Sequence, residues 1–229
     1  MNKVLKITFL CFLVSVSFVA KAQVRIGYQE TEQDKKRQDK SLSPYLRYNS
    51  YRIGLRYGVA QTAGGMSTYI DQLASGQYAL AGEMVLTEKF AFGAQIGVGS
   101  FKQRMPRQVY NFDGTDISAV QTRSLNRFAL LATGTYHVAP VTATLRPYVQ
   151  AGLGVSLIDY INYWGMLDDA KSTFTYTTQL AAGLQLLFSK EGHLGADLQV
   201  HYQYSPFTYD YITNVSTLGG SVGLFYRWW

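Results

Sequence analysis

A histidine and a serine near the end of the chain offer the clearest possibility of nucleophilic catalysis. His201 and Ser205 are four positions apart. A catalytic base must lie within hydrogen-bond reach of the hydroxyl that it activates. Four residues of extended strand span about 13 Å, so the two side chains could meet only if the chain folded back between them. We therefore expect no catalysis from this pair.

Charged and amide side chains recur at positions that alternate with apolar residues. Because successive side chains of a strand point to opposite faces, they should share one face of a sheet. If that sheet closes, the enclosed charges must pair, since an unpaired buried charge is very costly. The alternative to such a structural network is a gated ion path in which Glu83 exchanges arginine partners. The residues of the predicted interior polar network are Arg52, Arg56, Glu83, Gln95, Arg127, Gln179, Asp197, Gln199, His201 and Gln203.

Basic and aromatic residues cluster in the predicted connections between strands. Cationic side chains suit phosphate groups, and exposed aromatic side chains suit a protein partner. Asp113 and Asp116 offset part of the positive charge. For the cations, an ordinary solvated loop is the alternative. The predicted contact residues are Lys102, Arg104, Arg107, Arg123, Phe207, Tyr209 and Tyr211.

Thiol and metal chemistry have little support in the sequence. The only cysteine, Cys11, lies in an N-terminal segment that we expect to be cleaved. No histidine–carboxylate cluster has the spacing of metal ligands. His137 and His193 are predicted at strand ends as ordinary interfacial residues. We therefore expect no metal, no cofactor and no disulfide.

The first 22 residues have the features of a secretory signal peptide. Two lysines precede an apolar run over 7–19, and alanines at 20 and 22 form a small-x-small cleavage site. Residues 23–44 are polar and charged and are predicted to be a flexible periplasmic segment. Residues 45–229 are predicted to form the folded domain. Removing the three lysines of the signal peptide lowers the formal net charge from +6 to +3, which does not favour nucleic-acid binding.

The segment 174–204 shows most clearly the pattern that positions these side chains. Apolar residues occupy every second position, aromatic residues lie near both ends of the apolar face, and polar or small residues lie opposite. A strand that crosses a bilayer has this layout. The same alternation predicts strands over 50–61, 76–87, 90–101, 122–138, 147–160, 174–188, 194–204 and 215–229.

The connections between these strands alternate in length. Long loops follow the odd-numbered strands, the longest over 103–121 and another over 162–171, and short turns follow the even-numbered ones. Outer-membrane barrels show this asymmetry. The sequence therefore predicts an all-β protein, an eight-stranded antiparallel transmembrane up-and-down β-barrel. A soluble β-sandwich is the alternative.

The last strand, Leu-Gly-Gly-Ser-Val-Gly-Leu-Phe-Tyr-Arg-Trp-Trp over 218–229, is rich in aromatic residues. With the signal peptide and the eight alternating strands, it resembles the porin-like family of small outer-membrane β-barrels, which includes the OmpA-type and OmpX-type barrels. The resemblance implies an integral protein of the Gram-negative outer membrane with both termini in the periplasm. Two registers stay open, because Tyr226 and Trp228 are in one phase and Phe225 and Trp229 in the other.

The same resemblance implies the partners and the role. It implies an outer-membrane lipid environment and recognition of the last strand by the barrel-assembly machinery, while the basic residues of the second predicted loop and its flanks predict contact with lipopolysaccharide phosphates. Another envelope protein is a further candidate partner, and nucleic acid is not. We expect a structural, surface-interaction or envelope-complex role without catalysis.

Two other functions are weighed against this role. One is a lipid A-modifying hydrolase, because the His201–Ser205 stretch is faintly similar to the His-x-Ser pair of outer-membrane lipid A deacylases. It would require His201 and a loop hydroxyl to converge beside the outer-leaflet lipid. The other is a narrow gated channel for ions or solutes, which would require a continuous wet path past Arg52, Arg56, Glu83 and Arg127.

Overall fold

The computed structural model describes residues 50–112, 115–139, 143–165, 167–188, 193–210 and 212–228. The predicted signal peptide (1–22) and the predicted periplasmic segment (23–44) lie outside the described residues, as do Asp113, Tyr211 and Trp229. Within the described ranges, no helix is long and apolar enough to cross a bilayer.

Eight antiparallel strands form one sheet that closes into a barrel in the order β1 to β8. Closure follows from the pairing of β1 with both β2 and β8. A short 3-10 turn, Gly64–Met66, follows β1. The predicted transmembrane up-and-down barrel is confirmed. The strands are β1 (Ser50–Ala63), β2 (Ala74–Val85), β3 (Phe90–Phe112), β4 (Thr115–His137), β5 (Leu145–Trp164), β6 (Leu167–Leu187), β7 (Leu194–Ser205) and β8 (Val215–Trp228).

Four neighbouring strands are much longer than predicted. β3 and β4 have 23 residues each, β5 has 20 and β6 has 21, whereas the other four have 12 to 14. The predicted loops over 103–121 and 162–171 are therefore wrong, since both regions are mostly paired strand. Beyond the bilayer both faces of a sheet meet water, so backbone pairing continues without the apolar alternation that identifies strands in the sequence. We call the part of β3–β6 that lies beyond the paired residues Ser100, Asn126, Asp159 and Ser172 the wall. The end of the barrel that carries the wall is the upper end.

A belt of outward-facing apolar side chains surrounds the barrel below the wall. On β3 it runs from Phe90 to Val98, which is close to the roughly 9–11 residues that a tilted strand needs to cross the bilayer. Its upper limit is a polar row in which Ser100 Oγ donates to Asn126 Oδ1 at 2.7 Å. The row continues across β5 and β6, where Ser172 Oγ donates to Asp159 Oδ1 at 2.6 Å.

The exposure of the aromatic side chains at the lower end of the belt determines which residues of β8 face lipid. Trp228 is 39% exposed and stacks on Tyr51 of β1, with ring centroids 5.8 Å apart. Phe225, in the opposite phase, is buried in the barrel interior with 5% exposure. Tyr226 and Trp228 therefore face lipid.

Glycines make room inside the barrel for long polar side chains. A Cβ on Gly93 would lie 2.8 Å from Cγ of Glu83, and one on Gly223 would lie 2.6 Å from Cγ of Arg56. Both distances are well inside the optimal separation of about 3.5–4.0 Å between carbon atoms. A larger residue at either position would also meet a backbone carbonyl oxygen of the neighbouring strand, that of Gly82 or of Leu55, so the strand pairing as well as the charged side chain would have to shift.

Candidate functional site

A buried carboxylate organises the lower part of the lumen. Glu83 contacts the Nη2 atom of Arg52 from the neighbouring strand, and both side chains are almost completely buried. The other oxygen, Oε1, accepts from Gln150 Nε2 at 3.0 Å and from Thr135 Oγ1 at 3.4 Å. The Arg52 guanidinium also lies over the ring of Phe225, 5.3 Å from its centroid. Every one of these groups comes from a strand, so a rigid sheet positions them.

A second ion pair lies higher in the lumen. Arg56 Nε is 3.6 Å from Asp197 Oδ2, and Tyr148 donates its hydroxyl to Asp197 Oδ1 at 2.8 Å. Arg56 Nη2 also donates to Gln95 Oε1 at 3.3 Å, and Gln95 Nε2 in turn donates to Gln179 Oε1 at 3.2 Å. A chain of hydrogen bonds therefore crosses the lumen between opposite strands.

Arg127 lies between this layer and the upper end of the barrel. It donates from Nη1 to Thr217 Oγ1 at 3.2 Å and lies 5.9 Å from the ring centroid of Phe101. Among the described residues, no carboxylate is within ion-pairing distance of it. His201 lines the same cavity of the lumen as Arg127.

Three interior residues were missed by the sequence analysis. His137 is fully buried, and its Nε2 lies 3.2 Å from Gln185 Oε1, so its predicted interfacial position is wrong. Arg146 and Arg227 are also buried in the lower lumen. Arg146 belongs to β5, whose start was predicted two residues too late, and Arg227 belongs to the strand whose register was open. His193, which was also predicted to be an interfacial residue, does not lie in the interior as His137 does. Its ring lies beside the lipid-facing Tyr226, with ring centroids 5.6 Å apart.

An apolar cluster fills the upper end of the lumen, above the polar layers. We call it the cap. The connection between β1 and β2, which we call the first long connection, contributes Tyr69 and Ile70. Thr62 Oγ1 donates to the carbonyl of Ile70. Phe207 is 4% exposed within the cap, so its predicted role as an exposed partner contact is wrong. A wet path along the lumen would have to cross this apolar layer. The cap residues are Ala60, Met66, Tyr69, Ile70, Ala74, Phe101, Leu125, Ile158, Tyr160, Phe207, Ile212 and Val215.

The connection between β7 and β8, which we call the second long connection, is tied to the wall above the belt by two tyrosines. Tyr209 donates its hydroxyl to Asp169 Oδ1 at 2.7 Å, and Tyr160 donates to Asp210 Oδ2 at 3.0 Å. Lys171 Nζ lies 4.6 Å from the ring centroid of Tyr209. Burial, together with the hydrogen bond to Asp210, raises the pKa of Tyr160 to about 12. The hydrogen bond to Asp169 raises the pKa of Tyr209, so both phenols stay neutral donors at physiological pH.

The predicted basic cluster lies on strands and divides into two parts. Lys102, Arg104 and Arg107 are exposed on β3 of the wall. Arg123 of β4 points the other way: its Nη1 donates to the carbonyl of Tyr69 at 2.8 Å, and its guanidinium lies 5.2 Å from the Tyr69 ring centroid. Arg123 therefore holds the first long connection and does not join the three exposed cations.

No hydrogen bond joins His201 to Ser205 in the structure, and His201 Nδ1 has no partner among the described residues. Ser205 is fully buried in the interior, and its hydroxyl lies 2.7 Å from Thr177 Oγ1. This arrangement is away from the lipid-facing surface, and it does not favour the hydrolase alternative. Within the part of the chain that the structure describes, no group of three or more His, Cys, Asp or Glu residues could hold a metal ion.

Comparison with known proteins supports the fold. No protein-family model and no curated protein matches the chain. Neisserial surface protein A matches with a TM-score of 0.54 and 13% identity over 78% of this chain and 97% of that one. The N-terminal β-barrel domain of Pseudomonas aeruginosa OprF (17% identity, 79% and 98% covered, TM-score 0.44) and Yersinia pestis Ail (13%, 79% and 97%, 0.45) also match.

The match to Neisserial surface protein A and the closed ring of eight strands define the class of protein. The chain has the fold of the small outer-membrane β-barrels, as the resemblance to the OmpA and OmpX type implied. The sequence identities are low, so the likeness concerns the fold alone.

Proposed function

We propose that this protein is a non-catalytic barrel of the outer membrane that acts through its outer surface. In this proposal the wall binds phosphate groups of lipopolysaccharide through Lys102, Arg104 and Arg107, which we call the basic column. The wall above the lipid also offers a surface for another envelope protein. The observation that carries the proposal is the common direction of the three cations.

A β-bulge brings the three cations of the basic column to one face. Residues three apart on a regular strand point to opposite faces, so Arg104 and Arg107 should diverge. The register shift between them inserts one extra residue, and bulges re-aim side chains in this way. Arg104 pairs with Thr122 and Arg107 with Val120, two β4 residues that point to the same side.

The height of the basic column also suits lipid phosphates. Lys102 lies one outward step above Ser100, which belongs to the polar row that ends the apolar belt. Cations at that height meet the headgroup region, where each exposed Lys or Arg contributes about 1 kcal/mol of attraction to an anionic surface. Asp116, at the tip of the wall, is the nearest outward carboxylate on β4.

We further propose that the upper end faces the cell exterior and that both chain termini lie in the periplasm. The turn between β2 and β3 at the lower end is short, as periplasmic turns are. The aromatic end of β8 would then be presented to the barrel-assembly machinery, which the family resemblance implies as a partner.

The test is a titration of nanodisc-embedded barrel with fluorescent lipopolysaccharide. Arg107→Gln should weaken binding about fivefold, which corresponds to about 1 kcal/mol. The variant Arg107→Gln/Gln108→Arg keeps the net charge but moves the guanidinium to the opposite face of β3, and it should lose as much affinity. Lys89→Gln, which removes an exposed cation from the β2–β3 turn at the other end, should bind like the wild type. Wild-type binding by the charge-swap variant would contradict the proposal, because net charge alone would then account for binding.

A further inference from the structure

A small cavity lies in the lumen directly beneath the cap. Its volume is about 30 Å³. Arg127, which lines it, pairs with Gly99, one inward step below the cap pair Phe101 and Leu125. Arg56 lines its other side. Two cations from different strands therefore line one small cavity within the membrane-spanning part of the barrel.

Several buried donors around this cavity have no partner among the described residues. The unpartnered atoms are Arg56 Nη1, Gln77 Nε2, Gln179 Nε2, Gln203 Nε2 and His201 Nδ1. All five are nitrogens, and four of them can only donate, while the histidine nitrogen donates in one tautomer. Buried polar groups are normally hydrogen-bonded, so a cluster of unpartnered donors in a native fold points to a missing acceptor.

The orientation of the Gln179 amide follows from its neighbours. A guanidinium can only donate, so Arg56 Nη2 requires the oxygen of Gln95, at 3.3 Å. Gln95 must then present its nitrogen to Gln179 Oε1, at 3.2 Å. This leaves the nitrogen of Gln179 for the cavity. The donor that Gln179 presents to the cavity is therefore a consequence of the hydrogen-bond chain, and it does not depend on a free choice of amide orientation.

The charge around the cavity is also unbalanced. Arg56 shares Asp197 at 3.6 Å, whereas Arg127 has Thr217 Oγ1 as its hydrogen-bond acceptor and, among the described residues, no carboxylate. A buried cation without a counter-ion is very costly. A water molecule would accept from these donors, but it would also bring two hydrogens that need acceptors of their own. An anion accepts from all of them and offsets the charge.

We propose that this cavity is a binding site for one small monovalent anion of the size of chloride. One water molecule needs about 10–15 Å³ of such volume, so the cavity holds a single monatomic ion with at most one water beside it. The ion is a structural ligand: it completes the hydrogen bonds of the amides and neutralises Arg127 below the apolar cap. The site is independent of the basic column on the outer surface and of its proposed role.

The first test is chloride dependence of unfolding. Anything that binds the folded state alone stabilises it by mass action. The urea midpoint of the barrel in micelles should therefore rise with each tenfold increase in chloride, at constant ionic strength balanced with gluconate, which is too large for the cavity. Arg127→Gln should abolish this dependence. Arg146→Gln removes another buried lumen arginine, one that donates to the carbonyl of Glu88 far from the cavity, and should keep it.

The second test uses the unmodified protein, so it remains decisive if Arg127→Gln fails to fold. Crystals grown in sodium bromide should give one anomalous peak between Arg127 and Gln179. The absence of this peak, or equal midpoints in chloride and gluconate, would overturn the proposal in favour of a water-filled cavity. Loss of chloride dependence in both arginine variants would also overturn it, since the effect would then belong to the general charge of the lumen.

Discussion

Replacing Glu83 by glutamine should strongly destabilise the barrel. The amide keeps the shape and can still accept from Gln150, but it leaves the buried Arg52 without a counter-charge. Removing one partner of a buried ion pair costs about 3–5 kcal/mol, whereas an exposed pair contributes only about 0.2–1 kcal/mol. The two side chains are 9% and 3% exposed, so the larger range applies. With an m-value of about 2 kcal/mol per M, the urea midpoint of the refolded barrel should fall by about 2 M.

A double-mutant cycle separates the charge effect from a general loss of packing. Arg52→Met keeps an apolar stem against Phe225, and in the double variant no buried charge is left unpaired. Arg52→Met/Glu83→Gln should therefore be more stable than Glu83→Gln alone, with a coupling of about 2 kcal/mol or more. Asp159→Asn, which changes a carboxylate in the polar row above the belt, should cost less than about 1 kcal/mol. Strictly additive costs at positions 52 and 83 would refute the reasoning, because the two charges would then not depend on each other.

Three further outcomes follow from the structure. Phe207→Ala should cost about 3–5 kcal/mol in urea unfolding because it opens a cavity in the cap, whereas Leu73→Ala, 59% exposed, should change stability by less than about 0.5 kcal/mol. Gly219→Ala should destabilise the barrel by about 1–3 kcal/mol, since its Cβ would lie 2.7 Å from His201 Nε2, while Gly220→Ala, with nothing within 4 Å, should not destabilise it. Because the pKa of Tyr160 is raised to about 12 from an unfolded value of about 10, its contribution to stability should be complete below pH 10 and disappear as pH rises to 12. Asp210→Ala, which removes both the acceptor and the charge, should lower this pKa in an absorbance titration compared with the wild type, and an unchanged titration would contradict the assigned hydrogen bond.

The membrane-spanning half of this fold can be predicted from the sequence because contact with lipid requires apolar residues at every second position of each strand. Outward residues such as Phe128 and Leu130 must be apolar, and inward ones such as Arg127 need not be. This physical constraint fixes eight strands and their faces, and it is why the interior position of Arg52, Arg56 and Glu83 could be anticipated. Which acid pairs with which arginine depends on register, and register is a non-local property.

The wall and the cap could not be predicted from the sequence, because no local pattern of residues marks them. Above the polar row, residues such as Lys102 and Thr122 are held in strands by backbone hydrogen bonds alone, with no apolar face to mark them. Phe207 has the composition of an exposed recognition loop, and only the tertiary fold shows that the loop turns inward to cover the lumen. The bulge that aligns Arg107 with Arg104 likewise adds one residue whose position no local pattern reveals.

The most direct test of the account is cysteine labelling on intact cells, because the only cysteine of the sequence, Cys11, lies in the predicted signal peptide. Arg107→Cys places a thiol on the wall, and Lys89→Cys places one in the turn at the opposite end of the barrel. A membrane-impermeant maleimide should label position 107 on intact cells and position 89 only after the outer membrane is opened, while the unsubstituted protein stays unlabelled. Labelling of position 89 but not 107 on intact cells would reverse the orientation. Labelling of both positions only after cell lysis would contradict the outer-membrane barrel itself.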